Sequence, residues 1–251
     1  MRNLKITISF DGTDFSGWQR QKNAVTIQGE IENALSTICN APISLHGAGR
    51  TDAGVHALAM VANFQTSSTI SPSHFQKALN SILPFAIRII ALEEVSAEFH
   101  ARFSALSKMY FYNIDTAAIQ LPTTRLYSVH IPQKLSFPLI EQCLEQLTGT
   151  HDFASFEASG SRDKSITTGR GSVRTLHTAS LLKYGDTTYR FEFSGDGFLR
   201  HMVRNIVGTL LDVGKGRTTV EEFKSLFAAK NRASAGATAP AHGLFLKHIT
   251  Y

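Results

Sequence analysis

The chain has 251 residues and a mass of 27.5 kDa, room for one large domain or two moderate ones, and its 43% hydrophobic residues can close a sizeable core. A formal net charge of +5 and a pI near 9.3 favour a polyanionic partner, yet no run of Lys and Arg exceeds two residues, so any basic surface has to be assembled by folding. No apolar stretch reaches membrane-spanning length and the N-terminus, MRNLKITISF, lacks the hydrophobic run of a signal peptide, so a soluble, cytoplasmic protein is expected.

Along the chain, Leu4, Ile6, Ile8 and Phe10 alternate with Lys5, Thr7 and Ser9 as a strand with one buried face. A polar loop from Asp11 to Ala24 follows and holds the only Trp, Trp18. Ile27, Ile31, Leu35 and Ile38 are spaced as a helix, and a strand is expected near Leu58–Phe64. Ser71-Pro72 starts a helix whose buried face is Phe75, Leu79 and Ile82; Ile87–Leu92 is a strand. The order then recurs. Met109–Ile114 reads as a strand with Tyr110, Tyr112 and Ile114 on one face, and Phe137–Leu147 as a helix ended by Gly149. Two strands near Val173–Leu182 and Thr188–Phe193 follow, then an apolar helix (Val203, Ile206, Val207, Leu210, Leu211) closed by Gly214. Thr219 with Glu222 is a capping box opening a short helix, and the chain ends on a strand, Leu244–Tyr251.

This order predicts an α+β fold: two ferredoxin-like β-α-β-β-α-β halves, residues 1–104 and 105–251, whose mostly antiparallel sheets join, with an active-site cleft between them. Residues 158–172 are small, polar and basic, as in a flexible loop. Cys39 and Cys143 fall on apolar helix faces and read as buried free thiols of a reducing compartment. None of the ten histidines has a metal-ligand spacing, so no metal is expected.

The stretch with the most chemistry is Gly47-Ala-Gly-Arg-Thr-Asp-Ala-Gly-Val-His-Ala57. Three glycines allow positive φ or close approach, and they frame a cation (Arg50), a hydroxyl (Thr51) and a carboxylate (Asp52). A tight turn capped by Asp is the simplest account. A dinucleotide fingerprint needs Gly where Asp52 stands, a P-loop needs Gly-Lys-Ser/Thr, and Asp52 would repel a pyrophosphate. A nearby guanidinium would lower the pKa of such a carboxylate and keep it ionised.

FDGTDFSGWQRQ (10–21), TIQGEIENAL (26–35), GAGRTDAGVHA (47–57), FHARFSA (99–105), KMYFY (108–112), HDFASF (151–156), GFLRHMVRNIVG (197–208) and TAPAHGLFL (238–246) together resemble the bacterial tRNA pseudouridine synthases of the TruA type, in family order from first strand to last. The resemblance implies an isomerase that breaks the glycosidic bond of a uridine, turns the uracil and rejoins it through a ring carbon. It implies a substrate in the 3′ side of the tRNA anticodon stem-loop (positions 38, 39 or 40), a homodimer with the RNA touching both subunits, and neither metal nor small-molecule cofactor. A non-catalytic RNA-binding protein on the same frame is the rival reading, which Asp52→Asn would separate.

By the same resemblance Asp52 is the catalytic carboxylate. Whether it attacks the anomeric carbon, attacks the uracil or removes a ribose proton stays open. Arg204, on the apolar helix, is the cation that keeps it charged; Tyr110 is the aromatic that stacks on the target base; and Arg50 is the residue that replaces the flipped nucleotide. If Arg50 instead pairs with Asp52, Arg204 loses that role. Phe99, His100, Ala101, Arg102 and Phe103 of the FHARF stretch, with Lys108, match RNA-contacting positions, and Arg162, Lys164 and Arg170 are expected to touch the RNA from the 158–172 loop. His56, His100, His151 and His201 read as packed, hydrogen-bonded residues. Departures from the family pattern are Asp196-Gly197, Arg200 and Lys108.

Overall fold

The computed structural model describes residues 1–161 and 169–251. In chain order the elements are β1 (Arg2–Phe10), α1 (Ile27–Cys39), β2 (His46–Gly47), β3 (His56–Thr66), α2 (Pro72–Ile82), β4 (Ile87–Val95), β5 (Ser107–Asp115), β6 (Val129–His130), α3 (Phe137–Glu145), β7 (Gly149–Asp152), β8 (Val173–Lys183), β9 (Thr188–Gly195), α4 (Met202–Gly214), α5 (Val220–Ala229) and β10 (Leu244–Thr250), with three short 3₁₀ turns. The protein is therefore α+β, and most of its strand pairs are antiparallel. Among the described residues no helix is long and apolar enough to cross a membrane. By its contacts the chain divides into two compact units, Met1–Lys108 with Phe245–Tyr251, and Met109–Leu244.

In the first unit β1 is flanked by β4 and β3, both antiparallel to it. The far edge of β3 is shared. Its start pairs in parallel with β10 (Phe245 opposite His56), and its end pairs with the two-residue β2 (His46 opposite Asn63). The alternation read in β1 is the burial observed: Leu4, Ile6 and Ile8 are fully buried. α1 is capped by Thr26, whose hydroxyl accepts from Gly29 N, and ends on Asn40 in the left-handed region at φ 48°. Ile27, Ile31 and Leu35 form its buried face. In α2 Phe75 and Leu79 are buried, but Ile82 is half exposed, contrary to expectation, and Leu83 takes the inward place. The cause is Pro84, which disfavours helical backbone at the residue before it: Leu83 turns to φ −65°, ψ 144° and swings inward.

In the second unit β5, β9, β8 and β7 lie side by side in that order, with the short β6 running parallel to β5. Phe191 and Phe193 of β9 and Tyr112 and Ile114 of β5 are fully buried, as are Ile206, Val207 and Leu210 of α4. Phe153, Phe156, Phe223 and Phe227 form a ring cluster with centroids 5.8–6.3 Å apart, which is where the HDFASF stretch puts its aromatics. The Thr219–Glu222 capping box forms in full. Neither cysteine is in a disulfide; Cys143 is buried, its thiol pushed up to about 11 chiefly by desolvation, whereas Cys39 is only half-buried.

Candidate active site

The loop Gly47–Val55 connects β2 to β3, and the segment after β1 clamps it. Trp18 N donates to Thr51 O at 3.1 Å, Ala48 N to Val61 O at 2.8 Å, and Val55 N to Asp52 O at 3.2 Å. The glycines are there because nothing larger fits. A Cβ on Gly12 would lie 2.0 Å from Val55 O; one on Gly47 would lie 2.6 Å from Trp18 Nε1. Gly17 takes φ 91° and Gly54 φ 76°, both in the left-handed region. Trp18 itself is 2% exposed and packs on Phe10. From the other side, α1 holds the approach to the loop. The buried Glu32 carboxylate accepts from Leu45 N at 3.0 Å and from Gln28 and Arg20, while Gln28 Nε2 donates to Leu45 O at 3.0 Å. Gln28 and Glu32 lie in the TIQGEIENAL stretch, which carried no assigned role in the sequence; a buried Glu on an apolar helix face was the available signal.

On this frame Arg50 is exposed and Asp52 half-buried. Thr51 is 8% exposed, and its hydroxyl oxygen has no hydrogen-bond partner among the described residues. Lys108 Nζ donates to Ala48 O at 2.7 Å and lies against Gly49, so this lysine braces the loop. His56 is buried, its ring stacked on Phe245 at 4.5 Å; its Nδ1 accepts from Gly12 N at 3.1 Å and lies 3.1 Å from Asp11 Oδ1. It is packed and hydrogen-bonded, as its position implied.

The FHARF stretch is a turn pinned from within and open at its tip. Ala101 is fully buried, its N–H bound to Asn63 Oδ1 and its carbonyl to the Tyr251 hydroxyl; Phe99 O accepts from Asn3 and its ring packs on Tyr251. Arg102 is exposed, and Phe103 is 77% exposed with the Arg102 guanidinium 5.7 Å from its ring centre. The His100 ring lies against Phe103, tilted at 36° with centres 4.4 Å apart, and accepts Arg102 N at 3.1 Å. Desolvation first, then His46 and Arg102, holds the His100 imidazole below its ordinary pKa.

In the second unit Tyr110 is 8% exposed and meets Phe198 edge-on at 4.9 Å. Arg204 is half-buried on the first turn of α4; its Nε donates to Ala239 O at 2.8 Å and its carbonyl accepts Ala239 N at 3.1 Å. The neighbouring carbonyl of Pro240 takes the hydroxyl of Tyr112, whose pKa burial raises against the opposing pull of Arg204. The rest of M-V-R-N-I-V-G serves the same 237–240 segment. Gly208 leaves room for Ala237 O, which a Cβ would approach to 1.8 Å. Asn205, fully buried, donates to Phe156 O and accepts from Thr238 and Arg232. The MVRNIVG and TAPAHG stretches are thus a single packed unit. His201 adopts the left-handed region at φ 61° where α4 begins. His151 is held by Thr148 O and by the rings of Phe153 and Phe227.

Arg170 pairs with Asp196 at 2.6 Å, so one departure from the family pattern neutralises a cation expected to face RNA. Arg200 is exposed, and its carbonyl accepts Ala158 N. Arg162 and Lys164 lie outside the described residues.

The first unit thus holds a clamped carboxylate-bearing loop and an exposed Arg–Phe turn, and the second an arginine bonded on an apolar helix. The tRNA pseudouridine synthase family model matches residues 6–104 and 144–251. The chain is 50% identical to tRNA pseudouridine synthase A 1 of Desulfotalea psychrophila, and 43% identical to tRNA pseudouridine synthase A of both Acetivibrio thermocellus and Lacticaseibacillus casei, each over the full length of both chains. This chain belongs to the tRNA pseudouridine synthase family. It is an isomerase acting on tRNA uridine.

Proposed function

We propose that the protein converts uridine to pseudouridine on the 3′ side of the tRNA anticodon stem-loop, at positions 38, 39 or 40, with Asp52 as its catalytic carboxylate. The observation that carries this is the clamped loop. Its backbone is bound at Ala48, Thr51, Asp52 and Val55 and wedged by Trp18, so the carboxylate is held before substrate arrives. A stacked uridine has to leave its helix first, at roughly a few kcal/mol. Arg50, exposed beside Asp52, is suited to fill the vacated stack or grip a phosphate. Tyr110, its ring oriented by Phe198, stacks on the extruded uracil. Arg204 supplies the cation that keeps the carboxylate ionised away from water; the bond from its Nε to Ala239 sets the plane of the guanidinium fork.

His100, Arg102 and Phe103 are assigned as the surface contacts of the FHARF turn. Phe99 and Ala101 act by anchoring it, and Lys108 by bracing the Asp52 loop beside any RNA contact of its own. Arg162 and Lys164 complete the proposed RNA surface. The enzyme works as a cytoplasmic homodimer without a small-molecule cofactor, the dimer being checked by sedimentation.

The deciding experiment is incubation with unmodified tRNA transcripts and mapping of pseudouridine at single-nucleotide resolution, beside Asp52→Asn. Pseudouridine confined to the anticodon arm and lost in the variant is expected. Modification elsewhere, or an active variant, overturns the assignment.

A further inference from the structure

The second unit carries a cation that none of the roles above uses. Arg190 on β9 is half-buried, with its guanidinium carbon 4.1 Å from the ring centre of Phe111 and 4.2 Å from that of Tyr184. Its Nε donates to Asn113 Oδ1 at 2.9 Å. Two rings and one amide oxygen therefore fix the plane of the guanidinium. No carboxylate among the described residues pairs with it, and its terminal amino groups have no acceptor there.

The ring contacts offset part of the lost hydration of this cation, and an anion reaching its terminal amino groups would add charge-assisted hydrogen bonds. The same guanidinium lines a cavity of about 230 Å³ whose walls include Tyr127, Tyr184 and Tyr189 and the hydroxyl-bearing Thr123, Thr188 and Ser128. The Thr123, Tyr184 and Tyr189 side chains make no hydrogen bond to the described residues. The cavity is smaller than a drug-sized pocket, and it combines one oriented fork, flat aromatic faces and several hydroxyls. A guanidinium fork matches the geometry of phosphate, aromatic faces accept a nucleobase, and hydroxyls suit a ribose.

We propose that the Arg190 cavity binds one nucleoside phosphate, with the phosphate on Arg190 and the base against the tyrosines. Two sources share that chemistry: a nucleotide of the bound RNA, which rests on the proposed function, or a free nucleotide, which does not.

The test uses the full-length protein and follows its amide resonances while uridine 5′-monophosphate, uridine or inorganic phosphate is added. Shifts centred on residues 184–190 with the monophosphate are expected, with uridine binding roughly tenfold to a hundredfold more weakly for want of the charge-assisted bonds. Arg190→Met is expected to lose the monophosphate by a similar factor. Tyr184 is 68% exposed, so Tyr184→Ala folds regardless; it is expected to weaken the monophosphate several-fold while sparing inorganic phosphate. No shifts with the monophosphate, or an unchanged affinity in Tyr184→Ala, overturns the proposal. So does a loss of the dimer in Arg190→Met without any response to nucleotide, which would hand the cavity to a second copy of the chain. Measured with tRNA, weaker binding by Arg190→Met with a normal rate at saturation assigns the site to RNA; unchanged tRNA affinity assigns it to free nucleotide. A wild-type protein that forms no pseudouridine removes the proposed function but leaves the monophosphate result standing.

Discussion

Gly47→Ala tests whether the rigidity of the Asp52 loop matters for catalysis. The added methyl would stand 2.6 Å from Trp18 Nε1 and 2.7 Å from Cε2 and Cζ2. Carbon contacts are optimal at about 3.5–4.0 Å, so the ring or the loop must give by about 1 Å. Trp18 has little freedom: it is 2% exposed and its backbone is bonded to Thr51. Overpacking of this kind costs about 1–3 kcal/mol, read by urea unfolding. If the loop moves, a shift of about 1 Å at a positioned catalytic group lowers the rate by roughly a hundredfold. Single-turnover pseudouridine formation on a tRNA transcript measures this. Gly47 is not at positive φ, so backbone strain does not confound the variant. Trp18→Phe removes the atoms that the methyl strikes, and the double variant is expected to regain part of the lost rate. A Gly47→Ala protein destabilised by the stated amount but turning over at the wild-type rate would refute the argument from rigidity.

Asp52→Asn is expected to bind tRNA like the wild type and to turn over at least about a thousandfold more slowly, measured in single turnover with excess enzyme. Asn205→Ala strips partners from Phe156 O, Thr238 and Arg232 in a fully buried site, and should cost roughly 2–4 kcal/mol in urea unfolding. His100 titrates below its ordinary 6.5 in the folded protein, so the unfolded chain binds more protons there: the stability this residue contributes is intact above pH 6.5 and falls as pH drops through the folded value. Unfolding curves across that window should show a shallower decline for His100→Gln than for the wild type. The affinity for tRNA should drop steeply with added salt as phosphate contacts release counterions; a flat dependence would argue against a phosphate-gripping surface.

Much of the architecture was legible along the chain because helix and strand periodicities are local. The alternation in β1, the spacing in α1 and the Thr219–Glu222 box each depend on neighbours within a few residues, and each formed as read. Ile82 was misplaced because Pro84, two residues on, redirects the backbone after periodicity has already assigned a face. The residue types of the GAGRTDAGVHA stretch, a cation, a hydroxyl and a carboxylate in a glycine frame, were visible in the string. What the stretch rests against was not: Trp18 over Gly47, Val55 O against Gly12, and Glu32 and Gln28 gripping Leu45 link segments up to about forty residues apart. The same holds for Asn205 and Thr238, Arg170 and Asp196, and the guanidinium of Arg190 between its rings. Propensity, capping and alternation are decided by short-range sterics and hydrogen bonds, so a linear string determines them. Which glycine lacks room for a methyl, and which cation lacks a carboxylate, depends on groups brought together only when distant segments pack, and that was settled by the tertiary structure alone.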